Sequence, residues 1–413
     1  MDYYLFGASD VNAETYDILK SHYNMVGYVD SNESVRRRKK AEGINCIAPA
    51  DLLSKSNAHV FISGSKCAYM GAQLEALGVS NYSFYPNLEH SVEEKYGVFQ
   101  NKALGRTIDK KAKNLFMRLA ALKLDALGLN ETWVRFIERK KWMNFFVYAR
   151  VVYSCMNVNP DIKTFIDVGG GAGFIQFLAL DVGLPSVYYN EIDIDGCASM
   201  TKIADALGYD VNNYIYGDID EIIGFCVRND ILFDAVGSFD VLEHIYDLEI
   251  YFNKLPAILS KNAIVCMESG ANPHNKPYYD KAIVFHMESE FIRKHNHFDQ
   301  RYKIIKDTMN QNGITFNEME CIGLAFATRG MDEKDVLKSV KQFVDTGVVP
   351  VSDPYGIFKY NTCKLTGNWQ EHLINFNKFI KFLQSSGHYS VSEINFYGSR
   401  ELATWVQLLL RPI

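Results

Sequence analysis

TFIDVGGGAGF, residues Thr164 to Phe174, is the stretch that decides the fold of this chain. It reads as a short apolar strand, Phe165 to Val168, then a glycine-rich turn and an apolar helix, Phe174 to Asp181. Glycine reaches backbone conformations closed to other residues, and the first N–H groups of a helix have no partner within it. This order therefore predicts a cradle for a small molecule, formed by Gly169, Gly170, Gly171 and Gly173.

The residue before the turn indicates which ligand the cradle binds. A dinucleotide-binding turn has the spacing G-x-G-x-x-G and places a pyrophosphate on the helix N-terminus. Here the spacing is G-x-G-x-G, and Asp167 precedes it near the end of the strand. A carboxylate at this position repels a pyrophosphate. It suits a ligand with an ammonium and a sulfonium, and S-adenosylmethionine (SAM) carries both.

Three more strand ends carry acids. Glu191 ends the second apolar strand, at about the spacing at which an acid binds a ribose diol in such folds. Asp218 follows the third strand, where an acid could accept a hydrogen bond from an adenine amino group. The fourth strand is predicted over FDAVGSFDVLEHI, Phe233 to Ile245. The polar residues at its mouth are Asp240, Glu243 and His244.

These four blocks, in this order, resemble the class I SAM-dependent methyltransferases, and LEHI resembles the branch with ubiquinone-type and sugar-type O-methyltransferases. The resemblance covers residues 164 to about 269 and resumes near the C-terminus. It implies that residues 167–173 surround the methionine part of SAM, that Glu191 binds the ribose and that Asp240 lies behind the sulfonium. The implied cofactor residues are Asp167, Gly169, Gly170, Gly171, Gly173, Phe174, Glu191, Ile192, Asp218, Ile219, Phe239 and Asp240.

Composition limits the partners. The net charge is −6, with 48% hydrophobic and 22% charged residues, so the chain reads as an ordinary globular protein without the basic surface that nucleic acid requires. It contains no apolar run of about 18 residues and no charged-then-apolar leader at its N-terminus. We therefore expect a cytoplasmic protein without membrane insertion, whose scattered cysteines are reduced.

Residues 1–90 alternate strands and helices, which predicts a small parallel sheet. The segment resembles the small Rossmann-like domain of nucleotide-sugar and polysaccharide enzymes. That domain usually opens with F-G-A-G-x-x-G. In this chain the three glycine positions of the motif are Gly7, Ser9 and Asn12. The two departures argue against dinucleotide binding. Two interpretations stay open: an oligomerisation or docking domain, and a site for a nucleotide-linked substrate. In the second, the basic run 36–40 contacts phosphate rather than forming a solvated loop.

Residues 91–160 show helical periodicity and predict a bridge or cap. Its aromatic residues are candidate pocket walls or plain core: Trp133, Trp142, Phe145 and Tyr148. Residues 161–413 form the predicted methyltransferase domain, an α/β Rossmann-like fold with a helical insertion at about 271–362. The insertion follows the fifth strand, Ala263 to Gly270, and is therefore placed to form an acceptor pocket and lid. Ala403 to Ile413 is the predicted last strand.

Methyl transfer needs alignment of donor and acceptor, and a base if the acceptor is a hydroxyl. His244 is the first candidate by position, although it could instead pack beneath the cofactor. His286, His295 and His297 follow, and then His372. A metal-assisted variant could use His295, His297 and Asp299, but the spacing is not that of a metal site, and we expect no metal.

The sequence thus predicts a SAM-dependent methyltransferase of a small molecule, most favourably O-methylating a sugar or nucleotide-linked sugar in surface-polysaccharide or secondary metabolism. N- or C-methylation of another small molecule and a SAM-binding, non-catalytic partner protein are the alternatives. An NAD-dependent sugar enzyme is disfavoured by Ser9 and Asn12, and nucleic-acid methylation by the charge and by the lack of an N-P-P-Y motif after Asp240. Whether the chain forms a homo-oligomer stays open.

Overall fold

The computed structural model describes residues 1–294, 296–314, 317–348, 373–401 and 403–413. These residues cluster into two compact units, 1–239 with 262–266, and 240–261 with 267–413. Within the described ranges, no helix combines the length and the hydropathy that a membrane span needs. The seven described cysteines are all free, and all but Cys46 are buried.

The first unit begins with a five-stranded sheet in the order β3-β2-β1-β4-β5. Its strands are β1 Asp2–Phe6, β2 Met25–Val29, β3 Cys46–Ile47, β4 Ala58–Ile62 and β5 Tyr82–Phe84. Its helices are α1 Ala13–Lys20, α2 Glu33–Ala41 and α3 Cys67–Ala76. All its strand pairs are parallel, as the alternating pattern predicts.

Two details of this sheet correct or explain the sequence interpretation. The basic run 36–40 is not a loop but lies in α2, where Arg37 pairs with Glu33 one turn away. The turn after β1 is filled by Asn12, whose Nδ2 donates to the Gly7 carbonyl at 2.9 Å. A methyl group on Gly7 would lie 2.8 Å from that nitrogen, so the side chain occupies the space beside the first glycine of the dinucleotide pattern.

Three helices connect the two sheets: α4 Lys102–Ala120, α5 Glu131–Glu138 and α6 Trp142–Val158. Asp109 of α4 accepts hydrogen bonds from the backbone N–H groups of Leu88 at 3.0 Å and Glu89 at 2.8 Å. Burial raises the pKa of this carboxyl to about 7. Trp142 Nε1 donates to the Pro86 carbonyl at 2.7 Å. Helices α4 and α6 therefore both hold the segment that follows β5.

The second sheet has seven strands in the order β11-β12-β10-β9-β6-β7-β8. They are β6 Thr164–Val168, β7 Ser186–Glu191, β8 Tyr214–Tyr216, β9 Phe233–Phe239, β10 Leu259–Ser269, β11 Tyr389–Asn395 and β12 Val406–Pro412. The helices between them up to β10 are α7 Phe174–Asp181, α8 Ile194–Leu207, α9 Ile219–Asn229 and α10 Leu248–Lys254.

This strand order confirms the predicted α/β, Rossmann-like fold. Strands β8-β7-β6-β9-β10 follow the order 3-2-1-4-5 of a doubly wound sheet, and β6 pairs in parallel with both β7 and β9. The dinucleotide-binding fold continues with strand 6 at the edge, whereas here β12 lies between β10 and β11 and runs antiparallel to β11. The prediction of the fourth strand was too long, because β9 ends at Phe239 and Leu242–His244 is a short 3-10 helix.

Helices separate β10 from β11 in the second unit: α11 Lys276–Met287, α12 His297–Gln311, α13 Glu318–Ala327, α14 Glu333–Thr346 and α15 Phe376–Ser385. Ile305, Leu324 and Val336 belong to one buried apolar cluster of this region. Arg301 and Glu290, both fully buried, form an ion pair beside it. The sequence VVPVSDPYGIFKYN, residues 348–361, predicts a loop, which lies outside the described residues from residue 349 on.

Candidate functional site

The glycine turn after β6 has the backbone geometry that its sequence predicts. Gly169, Gly171 and Gly173 adopt φ values of 64°, 55° and 80°, in the left-handed region that glycine enters without strain. Gly173 is the N-cap of α7, and the Gly170 N–H donates to the Asn190 carbonyl at 2.9 Å. The turn is therefore tied to the end of β7 as well as to its own helix.

Both backbone groups of Gly171 are held by β7. Its N–H donates to Glu191 Oε2 at 2.9 Å, and its carbonyl accepts from the Tyr189 hydroxyl at 2.5 Å. The other oxygen of Glu191 accepts from the N–H groups of Ile192 and Asp193 at 2.8 and 2.9 Å. Burial raises the pKa of Glu191, while these three bonds oppose the shift. The carboxylate is thus fixed in orientation next to the turn.

Asp167 is a buried acid of the cradle that lacks a hydrogen-bond partner on one oxygen. It is 1% exposed, and its Oδ2 accepts from the Gln176 N–H at 3.1 Å, but its Oδ1 has no hydrogen-bond partner. Burial, with a smaller contribution from Glu191, raises the pKa of this carboxyl well above its usual value. A buried acceptor without a donor is costly. The site therefore favours a ligand that brings a cationic or hydrogen-donating group.

Asp218 lies at the next strand end. The Gly217 N–H donates to the Glu191 carbonyl at 3.0 Å. The backbone just before Asp218 is therefore hydrogen-bonded to Glu191, the other predicted ligand acid. Asp218 is exposed and caps α9, with its Oδ1 accepting from the Asp220 N–H at 2.8 Å. Ile219 beside it is buried. The roles of Asp218 and Ile219 at an adenine stay predictions.

Two aromatic rings of α5 cover the turn. A methyl group on Gly171 would lie 3.7 Å from Trp133 Cη2 and 3.8 Å from Phe136 Cε1. Trp133 also lies close to Gly196 of α8, where a methyl group would be 2.8 Å from its Cζ2. The two rings pack edge to face, with centroids 5.0 Å apart. Of the predicted pocket walls, Trp133 thus contacts the cradle, whereas Phe136 is a residue that the sequence interpretation missed.

The remaining aromatic candidates are core. Trp142, Phe145 and Tyr148 are at most 5% exposed. Tyr148 nevertheless packs against two predicted cofactor residues, with ring centroids 5.8 Å from Phe174 and 5.4 Å from Phe239. Tyr148 therefore supports the cradle by packing against α7 and β9.

Asn190 is a second residue that the sequence interpretation missed. It is 4% exposed, and its Nδ2 donates to the carbonyls of Ile215 at 3.1 Å and Gly217 at 2.8 Å. Together with the bond from Gly170 to its own carbonyl, it links the glycine turn to the end of β8. The available signal was a polar residue inside the otherwise apolar strand VYYNE, since buried amides are retained where they satisfy backbone groups.

The chain after β9 forms a polar cluster within the second unit. Asp240 has φ 54°, unusual outside glycine, and its N–H donates to the Glu268 carbonyl at 2.9 Å. A methyl group on Gly270 would lie 3.6 Å from Asp240 Oδ1, and the Gly270 N–H donates to Glu243 Oε1 at 3.2 Å. Glu268 is fully buried and accepts from Gln407 Nε2 at 2.7 Å. Glu268 and Gln407 were not among the predicted residues.

The candidate bases lie in different surroundings. His244 ends the 3-10 helix after Asp240 and is half-buried. His286 on α11 is 2% exposed, and His297 at the start of α12 is fully buried. Burial lowers the pKa of His297 to about 4. His295 and His372 lie outside the described residues. The catalytic role of each histidine stays a prediction.

The described residues offer no metal centre. They contain no group of three or more His, Cys, Asp and Glu side chains placed to hold an ion. The alternative metal site combined His297 and Asp299 with His295, which is outside the described ranges. Asp299 instead accepts from Asn296 Nδ2 at 2.7 Å at the start of α12.

With the geometry in place, the chain can be compared with known proteins. No protein-family model matches it. No curated protein matches it by sequence. A SAM-dependent methyltransferase from Clostridium acetobutylicum ATCC 824 is 10% identical over 64% of this chain and 89% of its own, with a TM-score of 0.36.

Two further similar structures match a shorter part of the chain. DesVI of Streptomyces venezuelae is 16% identical over 30% of this chain and 49% of its own, with a TM-score of 0.24. CalS10, an amino pentose methyltransferase from Micromonospora echinaspora, is 21% identical over 32% of this chain and 52% of its own, with a TM-score of 0.26. The chain spans about half the length of each. The fold assignment rests on its own strand order.

Proposed function

We propose that this protein is a SAM-dependent methyltransferase acting on a small molecule. The observation that carries the proposal is Asp167, a buried carboxylate with one oxygen lacking a partner, next to a glycine turn that is hydrogen-bonded to β7. An ammonium group supplies what this carboxylate needs, and SAM carries one. A dinucleotide pyrophosphate would add negative charge beside a buried acid, and burial of like charges is costly.

The remaining residues of the cradle fit the other parts of SAM. Glu191 has its carboxylate fixed by three backbone N–H groups and retains lone pairs for the ribose hydroxyls. Asp218 and Ile219, at the next strand end, are the proposed contacts for the adenine. Trp133 lies against the turn and is proposed as a wall of the cofactor site.

When bound, SAM supplies an electrophilic methyl group whose carbon–sulfur bond breaks as the bond to the acceptor forms. The protein has to align the acceptor, exclude water and accept the proton of the attacking hydroxyl. His244 is the proposed base, since it follows the end of β9 and a neutral imidazole is suited to remove a hydroxyl proton.

The proposed acceptor is a hydroxyl of a sugar or nucleotide-linked sugar. Its support is the sequence resemblance of the LEHI block and of the first domain to sugar-modifying enzymes. The N-terminal sheet is proposed as a docking or oligomerisation domain, because Asn12 fills its first turn. The helical segment after β10 is proposed to contribute to the acceptor side.

The test begins with calorimetry of the whole chain with SAM, S-adenosylhomocysteine (SAH) and NAD. Binding of SAM and SAH, followed by SAH release in the presence of one nucleotide sugar, supports the proposal. Binding of NAD alone contradicts it. Tight SAH binding without product from any hydroxyl, amine or carbon acceptor favours the non-catalytic partner protein.

A further inference from the structure

An open cavity of about 440 Å³ lies between α5 and the start of α6 in the first unit. Its volume falls in the range of small-molecule sites. The residues that line it are Thr132, Arg135, Phe136, Arg139, Lys140 and Asn144. Three of the six are cationic and none is acidic, although the chain as a whole carries a net charge of −6. The lining therefore attracts an anion locally, against the overall charge.

The three cations differ in how far they are already engaged. Arg135 pairs with Glu131 one turn back, but both side chains are more than half exposed, so the pair is screened and weak. Lys140 Nζ lies 3.8 Å from the centroid of the Phe136 ring. Arg139 is exposed, and none of its described contacts is an ion pair. Its guanidinium can bind a phosphate with two parallel hydrogen bonds.

Neutral groups complete the lining. The Thr132 hydroxyl and the Asn144 amide can both hydrogen-bond to phosphate oxygens. Asn144 lies in the first turn of α6, a helix of 17 residues, so the positive end of its dipole is at the cavity wall. These groups favour negative charge, whereas the C-terminal end of α5, which is also at the wall, opposes them with the negative end of its dipole.

Phe136 connects this cavity to the proposed cofactor cradle. Phe136 lines the cavity, and its Cε1 would lie 3.8 Å from a methyl group on Gly171. The same aromatic residue thus borders both the glycine turn and the cavity. A ligand whose anionic end is in the cavity can place the rest of its structure beside the cradle.

We propose that this cavity binds the phosphate of the acceptor, so that the substrate is a phosphate ester whose charged end contacts Arg139. The inference rests on the proposed methyltransferase function and names its substrate class. The carboxylate of SAM is the competing anion. A single carboxylate would engage one guanidinium, whereas three cations and a volume of this size suit a phosphate or diphosphate.

The experiment measures binding of inorganic phosphate, glucose 1-phosphate and uridine diphosphate to the whole chain by calorimetry, with SAH measured separately. The variants are Arg139→Ala and, as a matched control, Arg228→Ala, an exposed arginine in the last turn of α9. We expect Arg139→Ala to weaken the tightest of the three phosphate compounds by about 10- to 100-fold. SAH affinity should stay within twofold in both variants, and added salt should weaken only the phosphate compounds.

The pattern of affinities identifies the source of the phosphate. Tightest binding of uridine diphosphate indicates a nucleotide-linked acceptor, and tightest binding of glucose 1-phosphate indicates a sugar phosphate. Equal binding by wild type and Arg139→Ala, or no binding of any phosphate compound while SAH binds, overturns this inference and leaves the proposed function intact. Loss of SAH affinity in Arg139→Ala assigns the cavity to the cofactor carboxylate and also overturns it. Failure of the wild type to bind SAH contradicts the proposed function itself.

Discussion

Asp167→Asn should weaken SAH binding and, at neutral pH, stabilise the ligand-free protein. The amide keeps the shape of the side chain, and its oxygen can still accept the 3.1 Å bond from the Gln176 N–H. What it loses is the negative charge opposite the ligand ammonium. A hydrogen bond to a charged group contributes about 1.5–3 kcal/mol, so the dissociation constant of SAH should rise by about 10- to 150-fold.

The effect on stability has the opposite sign. Burial raises the pKa of Asp167, so the folded state holds the proton more tightly than the unfolded state does. Unfolding free energy therefore falls as the pH rises above the unfolded pKa of about 3.9. Asparagine does not titrate in this pH range, so the variant does not lose this part of the unfolding free energy. The variant should melt at a higher temperature than the wild type at neutral pH, and the difference should vanish below pH of about 4.

Calorimetry with SAH and thermal unfolding across pH measure both effects. The matched control is Asp234→Asn, because Asp234 Oδ2 accepts from the N–H groups of Lys163 and Thr164 at the opposite end of β6. It should leave SAH affinity unchanged. If Asp167→Asn binds SAH within twofold of the wild type, Asp167 does not face the ligand. If its ligand-free form melts below the wild type at neutral pH, the carboxylate is stabilising and the argument from its burial fails.

Three more substitutions test other parts of the molecule. Glu191→Gln should weaken SAH binding by about tenfold, because an amide cannot offer two charged acceptors to the ribose and the backbone together; unchanged affinity by calorimetry removes the residue from the ribose site. His244→Ala should lower turnover by about 10² to 10⁴ with SAH affinity preserved, and a loss below tenfold assigns the base elsewhere. Glu290→Gln should lower the free energy of unfolding by about 3–5 kcal/mol in urea titrations, since Arg301 keeps a buried charge without its carboxylate. Replacing both residues of this pair by leucine and methionine should restore most of the loss, and failure to do so shows that the charge was not its cause.

The seven-stranded sheet was predictable because its signals are local. The helix α7 spans the predicted Phe174–Asp181, since an apolar run begins directly after a glycine and only Gln176 interrupts it before Asp181. The acids Asp167, Glu191 and Asp218 could be placed for a similar reason. Each lies at or near the end of a short apolar strand, and parallel strands bring their carboxyl ends to one edge.

Contacts that depend on packing between elements were not predictable. Val241 and Leu242 continue the apolar pattern of β9, so the strand was predicted to run to Ile245, although Asp240 already turns the chain with a positive φ. The cationic cavity is built from residues close in sequence, yet their periodicity is that of any amphipathic helix. Only the packing of α5 against the turn brings Phe136 to Gly171.

The two bonds that β7 makes to Gly171 have a consequence for how a ligand is received. The carbonyl and the N–H of this residue are both fixed before any ligand arrives, by Tyr189 and Glu191. A loop that had to be ordered on binding would subtract its conformational entropy from the affinity. Here folding of the sheet has already met that cost, so the rim of the cradle behaves as a rigid template, and the ligand is the partner that adapts.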